Sequence, residues 1–410
     1  MHVWQKYKAT HPVLTRAVWS AVLVFIFLLG KSIPLPYTDA KSLVLQNATL
    51  NFASLATGGN LSQLSLFSMG IAPWMSAMII ANLLTQSRSL GLDRMSANRL
   101  DYISKEITLI LAVIQAFVVV ANLQLTVKGI GPKLAVGLVL VAGALYCVWL
   151  SNMNGRFGLG GPTLLVLANI LQSALGMAID GIAKLAGSST ARLILILVGL
   201  AIFLVLFAYL NVMMDRGEYR LPIIHLLIDS QYASRSYLPI KLTPAGGMPI
   251  MFAMALVTLP TYLCLFLLTF WPHNQLLAWC AANFTFTKLP GVVLYLILLG
   301  SLSMAFAYIN VNAERQMKTL QQAGDYLLGV RPGVATRQRI NQVVLICGLI
   351  GALYNMILAG GPMLLVVQHP SQMNIYMLPG YILMVVGFSM GMIDQINTLE
   401  IRRKYRPLFE

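Results

Sequence analysis

Residues 58–84 read GGNLSQLSLFSMGIAPWMSAMIIANLL, and this stretch decides how the rest of the chain is interpreted. It begins small and polar and then becomes apolar enough to lie in a lipid bilayer, although Gly70 and Pro73 interrupt it early. A membrane helix tolerates such residues where the freed backbone groups meet protein or water rather than lipid. The stretch therefore predicts a polar, half-embedded segment that leads into a broken helix, as in a pathway through a membrane protein.

The composition of the whole chain indicates a polytopic membrane protein. Its 410 residues are 58% hydrophobic and only 10% charged, whereas about a quarter of the residues in a soluble domain are charged. The first apolar stretch lacks a small-residue cleavage site, so we expect it to be a retained helix. The four cysteines show no CxxC spacing and the five histidines form no ligand motif, so we expect neither a metal site nor a cofactor.

Ten stretches of mostly apolar residues have about the 20-residue length that a membrane helix needs. They lie near residues 14–33, 65–84, 105–125, 133–152, 162–179, 190–213, 247–270, 290–311, 341–360 and 377–398. With both termini in the cytoplasm, about three quarters of the 28 Lys and Arg residues fall on the cytoplasmic side, in agreement with the positive-inside rule. The net charge of +15 is therefore mostly a topology signal, and we expect no nucleic-acid partner.

The ten predicted spans suggest two halves, residues 1–185 with the first five helices and residues 186–410 with the other five. Inverted repeats commonly place a transport path at their interface, with broken helices in corresponding positions. Gly70 and Pro73 in the second span have counterparts in Gly246, Gly247 and Pro249 at the start of the seventh. The predicted fold class is therefore all-α, with two pseudo-symmetric inverted halves.

Three loops are longer than a turn requires. The cytoplasmic loop 215–246 contains two β-prone runs, which predict a protruding hairpin. The cytoplasmic loop 314–342 carries both charge signs around apolar residues. Both loops suit protein docking, although solvated loops of a transporter have a similar composition. In the first external loop, residues 51–63 are too short and polar to span a bilayer but too apolar for a free loop, so we expect a re-entrant helix there.

Several separated motifs now point to one family. They are IPLP at 33–36, LSLFSMGIAPWMSAMII at 64–80, YLPIK at 237–241, AG at 245–246, PIMFA at 249–253 and GVRPG at 329–333. With these motifs in this order, the chain resembles the SecY/Sec61 family, the channel subunit of the general protein translocase. The resemblance implies an hourglass pore with an apolar waist, a plug helix on its outer side, and a lateral gate between helices 2–3 and 7–8.

The resemblance also implies which residues form these parts. The waist falls on Ile71, Met75, Val166, Ile170, Met251 and Met384. The lateral gate falls on Ser76, Asn82, Gln115, Met254 and Thr258. The plug falls on Phe52, Leu55, Gly58, Gly59 and Leu61. Ordinary core packing remains an alternative for each Met of the waist, because Met fills irregular gaps well, and a plain interhelical contact remains one for Asn82 and Gln115.

The GVRPG motif resembles the cytoplasmic loop that contacts the motor ATPase in this family. Arg331, flanked by Gly329, Pro332 and Gly333, is expected on a rigid exposed turn, suited to an ion pair with a partner protein. A phospholipid headgroup is the alternative partner. The supporting docking candidates are Arg220, Arg235, Lys241, Arg337 and Arg339.

Some positions depart from the usual family pattern. Methionine occupies three waist positions, Met254 and Ala255 stand where many bacterial members have a Ser pair, and the tenth helix begins LPGY at 378–381. In these departures the chain resembles the accessory, second SecY of some Gram-positive bacteria. That subgroup exports serine-rich, often glycosylated surface adhesins with a dedicated SecA-type motor. The implied partners are that motor ATPase, SecE-like and SecG-like small membrane subunits or accessory Sec proteins, membrane lipids and the unfolded secretory polypeptide.

The resemblance implies a channel without catalysis of its own, in the bacterial cytoplasmic membrane. The alternative from another class is a secondary transporter for small solutes, which shares inverted repeats and broken helices. A transporter needs a polar or charged substrate site at the middle of the membrane, and the predicted waist helices carry no charge there. An intramembrane enzyme would need paired Asp or Glu–His residues within the spans. The sequence therefore favours the channel.

Overall fold

The structure is a computed structural model of the chain, and it describes residues 12–38, 64–86, 97–123, 125–127, 129–185, 190–225, 236–370 and 373–404. The helices are α1 (Pro12–Ser32), α2 (Ala72–Gln86), α3 (Ala97–Ala121), α4 (Ile130–Phe157), α5 (Pro162–Leu185), α6 (Thr190–Arg216), α7 (Met248–Phe270), α8 (Gln275–Asn283), α9 (Leu289–Val311), α10 (Ala313–Ala323), α11 (Val334–Asn355), α12 (Gly361–Gln368), α13 (Met373–Tyr376) and α14 (Leu378–Lys404). The strands are β1 (Glu218–His225), β2 (Tyr237–Lys241) and β3 (Asp325–Leu327). The predicted plug, 51–63, lies outside the described residues.

Each of the ten predicted spans coincides with a helix, and the ninth continues from α11 through a π-helical turn at Met356–Gly360 into α12. Within the described residues, seven helical segments are long and apolar enough to cross a membrane: Val13–Ser32, Asp101–Ala121, Ile130–Phe157, Met248–Phe270, Leu289–Ala323, Val334–Gln368 and Leu378–Ile401. Ala72–Ala81 and Pro162–Ala174 are shorter apolar helices. The all-α, multi-pass class is thus confirmed, while the number of ten crossings stays a prediction.

The second span differs in detail from the sequence-based expectation of a broken helix over 65–84. Residues 65–71 form turns, and α2 begins only at Ala72. Gly70 has a φ of 56°, a left-handed conformation that favours glycine, and Pro73 occupies the first helical turn, where the missing N–H costs no hydrogen bond. The two residues therefore start the helix and do not interrupt it.

The chain forms two compact units. The first comprises Met1–Ile194, Met254–Leu294 and Phe388–Glu410, and the second comprises Leu195–Ala253 and Tyr295–Gly387. The expected inverted halves, 1–185 and 186–410, concern the repeat pattern and stay a prediction.

In the first unit, the turn that precedes α2 is wedged between α1 and α4. The Phe67 ring stacks on Phe27 of α1, with ring centroids 6.0 Å apart, and on Tyr146 of α4, with centroids 5.7 Å apart. Two glycines make room for this turn. A Cβ at Gly30 would lie 1.9 Å from the Phe67 ring, and one at Gly143 would lie 2.0 Å from the Leu66 carbonyl oxygen.

In the second unit, the described parts of the loops 215–246 and 314–342 form one small domain, the β-sheet domain. The strands pair antiparallel in the order β2-β1-β3, with Arg220 opposite Pro239 and Ile224 opposite Tyr326. The predicted hairpin of the first loop is therefore confirmed, and the second loop adds a third strand. An apolar core lies beneath the sheet and includes Leu221, Ile240, Leu320, Leu327, Ile340 and Val343.

Candidate functional site

The start of the predicted waist is built by two of the sequence motifs together. Residues 33–35 pair with residues 64–66 through two backbone hydrogen bonds of 3.0 Å. The chain then turns at Gly70 and enters α2, where the Met75 N–H donates to the Ile71 carbonyl at 3.1 Å. Ile71 is 1% exposed and Met75 is fully buried. The paired motifs thus fix the point at which both predicted waist side chains enter the protein interior.

The glycine-rich turn between α4 and α5 is held by hydrogen bonds around Asn154, which is fully buried. The Asn154 side chain accepts a hydrogen bond from the Ser20 hydroxyl at 2.9 Å and donates to the carbonyls of Leu159 and Gly161 at 2.7 and 2.8 Å. The Leu159 N–H in turn donates to the Ser20 oxygen at 2.7 Å. These bonds tie the turn that precedes α5 to α1.

The remaining waist candidates are also buried apolar side chains. Val166 and Ile170 lie one turn apart on α5 in the first unit. Met251 on α7 and Met384 on α14 belong to the second unit. There, Gly247 lets the start of α7 approach α14 closely, because a Cβ at that position would lie 3.1 Å from the Met384 Cα. All six predicted waist residues are therefore uncharged and buried.

The predicted gate residues of α2 and α7 converge on one backbone carbonyl of the first unit. The hydroxyls of Ser76 and Thr258 both donate to the Ala255 carbonyl oxygen, at 3.5 and 2.8 Å. Met254 and Gln115 are buried, at 1% and 3% exposed. The Asn82 side chain lies outside the described residues. A long bond at Ser76 beside a short one at Thr258 makes the α2–α7 polar contact the weaker of the two.

The predicted docking residues lie on the second unit. Arg331, Arg337 and Arg339 are exposed, and the Arg331 carbonyl accepts a hydrogen bond of 3.1 Å from the Thr336 hydroxyl. Gly329 and Gly333 have φ values of 74° and 104°, which explains the glycines on both sides of this turn. The predicted exposed turn is therefore confirmed.

The other docking candidates have partners within the chain. Arg220 pairs with Glu218 at 2.8 Å and stacks over the Tyr237 ring, with its Cζ 4.6 Å from the centroid. The hydrogen bond to Glu218 raises the pKa of Arg220, so its guanidinium stays charged. Lys241 pairs with Asp215 at 3.3 Å. Arg235 lies outside the described residues.

Sequence reasoning missed two features of these sites. One is β3, three residues long, whose Asp325 carboxylate lies within hydrogen-bond distance, 2.7 Å, of the Nδ1 atom of His225 on β1. So short a strand gives almost no periodicity signal. The other is Lys31, the single charged residue between positions 17 and 38, which is 4% exposed. A charge inside an apolar span marks a candidate functional residue, and that rule would have found it.

The described residues contain no group of three His, Cys, Asp or Glu side chains placed to hold a metal ion. What they do contain is a set of apolar helices with buried uncharged side chains and a small domain with exposed charges. This combination indicates a multi-pass membrane protein.

Comparisons with known proteins agree with this class. The sequence model of the SecY family matches residues 65–393. The accessory Sec system protein translocase subunit SecY2 of Streptococcus gordonii is 36% identical over 404 residues, which cover 97% of this chain and 98% of the relative. The SecY2 subunit of Streptococcus oralis is 38% identical over 393 residues, covering 94% and 96%.

Solved structures with a similar fold belong to the same class of protein. The solved structure of a protein conducting channel has a TM-score of 0.71 at 15% identity and covers 95% of this chain and 93% of its own. Sec61 in the canine ribosome-channel complex has a TM-score of 0.63 at 14% identity, with coverages of 95% and 93%.

The chain belongs to the SecY family. It is thus a subunit of a protein-translocation channel and not an enzyme, and it resembles the accessory SecY2 subunits over nearly its full length. This assignment decides between the two classes that the sequence had left open, because it supports the channel and gives the small-solute transporter no support.

Proposed function

We propose that this chain is the central channel of an accessory protein-export system in a bacterial cytoplasmic membrane. It has both termini in the cytoplasm and two inverted five-helix halves, 1–185 and 186–410. The observation that carries the subgroup is similarity to SecY2 subunits over 97% of the chain. The bias of Lys and Arg toward one side supports the orientation. The cargo is an unfolded secretory polypeptide, specifically a serine-rich, glycosylated surface adhesin.

The proposed path is a waist formed by Ile71, Met75, Val166, Ile170, Met251 and Met384. Their burial and lack of charge support this role, because a narrow apolar constriction can hold back ions and water by dewetting and still adapt to a passing chain. Three methionines make this lining softer, since Met is unbranched and flexible. Residues 51–63, with Phe52, Leu55, Gly58, Gly59 and Leu61, are proposed as the plug.

Disulfide crosslinking to a stalled cargo chain tests this path. Single cysteines at Ile71 and Met384, in a background without the four native cysteines, should crosslink to a cargo cysteine halted during ATP-driven export. The control is a cysteine at Leu138 of α4, which is 71% exposed and expected to face lipid. Crosslinks at Leu138 in the absence of crosslinks at the other two positions would exclude the proposed path.

The proposed lateral gate includes Ser76, Asn82, Gln115, Met254 and Thr258. The two hydroxyls that share the Ala255 carbonyl support this role, because a long polar contact between two helices opens at modest cost. Thr258 takes the place of the Ser pair that many bacterial relatives have. Apolar cargo segments would leave into lipid by this route.

A SecA-type motor is proposed to dock on the β-sheet domain, which would lie on the cytoplasmic side, with Arg331 at the centre of the contact and Arg220, Arg235, Lys241, Arg337 and Arg339 around it. The exposed Arg331 turn supports this role, because a guanidinium on a preorganised turn loses little entropy when it pairs with a carboxylate. SecE-like and SecG-like small subunits or accessory Sec proteins complete the complex, and lipids contact its apolar surface.

Charge reversal at Arg331 tests the docking surface. We expect Arg331→Glu to weaken motor binding at least tenfold, since a disrupted interfacial ion pair costs roughly 2–5 kcal/mol, and to stop motor-dependent export. The matched control is Arg315→Glu on α10, an exposed arginine outside the proposed set. Binding measured by surface plasmon resonance that is equal for both variants would remove Arg331 from the docking site.

A further inference from the structure

Lys31 is a buried cation in the last turn of α1, at 4% exposed. Its ammonium group donates hydrogen bonds to the side-chain oxygens of Asn169 and of Gln172, the latter at 2.8 Å. Both partners belong to α5, and Asn169 is itself fully buried. The ammonium also lies 5.9 Å from the centre of the Phe27 ring. Lys31 therefore joins α1 to α5 through charge-assisted hydrogen bonds.

Burial of a lysine at this position lowers the stability of the protein unless the charge finds polar partners. A buried charge loses its hydration, and in an apolar span that loss costs several kcal/mol unless polar partners replace the water. The two amide oxygens of α5 are such partners, and hydrogen bonds to an ion are roughly twice as strong as neutral ones. Separation of α5 from α1 would therefore leave the cation without compensation, which makes this contact harder to open than an apolar one.

Besides the Lys31 contact, a second polar contact links α1 to the chain just before α5. It is the hydrogen bond between Ser20 of α1 and Leu159, which lies in the turn three residues before α5 begins at Pro162. Ser20 and Lys31 are eleven residues apart, or about 16 Å along α1. Val166 lies between Leu159 and Asn169 in the chain, and Ile170 directly follows Asn169. The α5 part of the proposed waist is thus bracketed by two attachments to α1.

We propose that Lys31 is a positioning residue of the waist, which holds α5 against α1 so that Val166 and Ile170 keep the resting constriction tight. The inference rests on the proposed role of these two residues. Without the Lys31 contact, the turn at Leu159 still holds the start of α5 near α1, but the hydrogen bonds from Lys31 to Asn169 and Gln172 are lost, so the channel leaks small ions at rest but still passes a polypeptide.

Ion leakage in the absence of cargo tests this proposal. Purified complexes that contain wild-type channel, Lys31→Met or Lys31→Arg are reconstituted into liposomes, and the dissipation of an imposed potassium gradient is recorded. We expect Lys31→Met, which keeps the length of the side chain but removes its charge and donors, to leak several-fold faster. Lys31→Arg, which retains a cation with hydrogen-bond donors, should leak at close to the wild-type rate.

The matched control is Lys133→Met, which removes an exposed lysine from α4 and should leave the leak unchanged. A leak of Lys31→Met equal to that of the wild type would overturn the proposal, and so would an equal leak of Lys31→Met and Lys31→Arg. If Lys31→Met fails to accumulate, Gln172→Leu removes one acceptor on the exposed side of α5. A faster leak then supports the proposal, and an unchanged leak rejects it.

The cargo crosslinks at Ile71 and Met384 separate this inference from the function on which it rests. Normal crosslinks with an unchanged leak reject the role of Lys31 alone. Missing crosslinks reject the proposed path, whatever the leak.

Discussion

The framework of α1, α4 and α5 in the first unit and the β-sheet domain in the second unit use polar groups in opposite ways. In the framework, Ser20, Asn154 and Lys31 are buried and form hydrogen bonds with neighbouring helices. In the β-sheet domain, the exposed Arg331 and Arg339 lie outside a small apolar core. Polar groups that are buried set the geometry of the protein, and polar groups that are exposed are available to a partner.

This difference predicts that substitutions of buried polar groups change stability, whereas substitutions of exposed ones change binding. Four substitutions test the comparison, from the largest expected effect on stability to the smallest.

Asn154→Leu should have the largest effect. It keeps a similar volume but deprives the Ser20 hydroxyl and the carbonyls of Leu159 and Gly161 of a partner. Because each buried polar group left without a hydrogen bond costs about 1–3 kcal/mol, we expect a loss of roughly 3 kcal/mol or more. Thermal unfolding of the detergent-solubilised protein, followed by fluorescence-detected size exclusion, measures it. A melting temperature equal to that of the wild type would contradict the dependence of the framework on this network.

Gly143→Ala should follow, with Gly137→Ala on the same helix as its control. The new Cβ at 143 would lie 2.0 Å from the Leu66 carbonyl oxygen, while at 137 the nearest atom is 3.9 Å away. Overpacking of this kind costs about 1–3 kcal/mol, whereas alanine in an open helical position gains about 0.5–1 kcal/mol over glycine. The two variants should therefore shift the melting temperature in opposite directions, and a shift in the same direction would refute the close approach of Leu66 to α4.

Asp325→Asn should have a smaller and local effect. It weakens the hydrogen bond between β3 and His225, both partly buried, by about 1 kcal/mol. We expect faster protease cleavage of the β-sheet domain and no change in the melting temperature of the helices. Cleavage at the wild-type rate would mean that β3 is held by its backbone pairing alone.

Arg331→Glu should have the smallest effect on stability, because exposed positions without such partners change the free energy of unfolding by less than about 0.5 kcal/mol. Its effect on motor binding is the largest of the four. A melting temperature as low as that of Gly143→Ala would show that Arg331 supports the domain itself, and the proposed docking role would then need independent proof.

Much of the fold could be predicted from sequence because apolar length and charge bias are properties of the chain itself. The positions of the helices, the hairpin at 218–241 and the exposed turn around Arg331 all followed from local patterns. The start of α2 at Ala72 did not, because a glycine and a proline are compatible with either a kink inside a helix or its first turn. The left-handed backbone at Gly70, with a φ of 56°, shows that the second is realised.

The sequence alone determined that this is a multi-pass membrane protein with ten predicted spans and with Lys and Arg concentrated on one predicted side. The physical reason is that a bilayer imposes the length of each span and the side on which Lys and Arg remain. Only the tertiary structure decided that β3 completes the sheet of the hairpin and that Lys31 attaches α1 to α5. These contacts join residues 100 to 138 positions apart, and no local pattern encodes which distant amide or carboxylate will meet a given cation or imidazole.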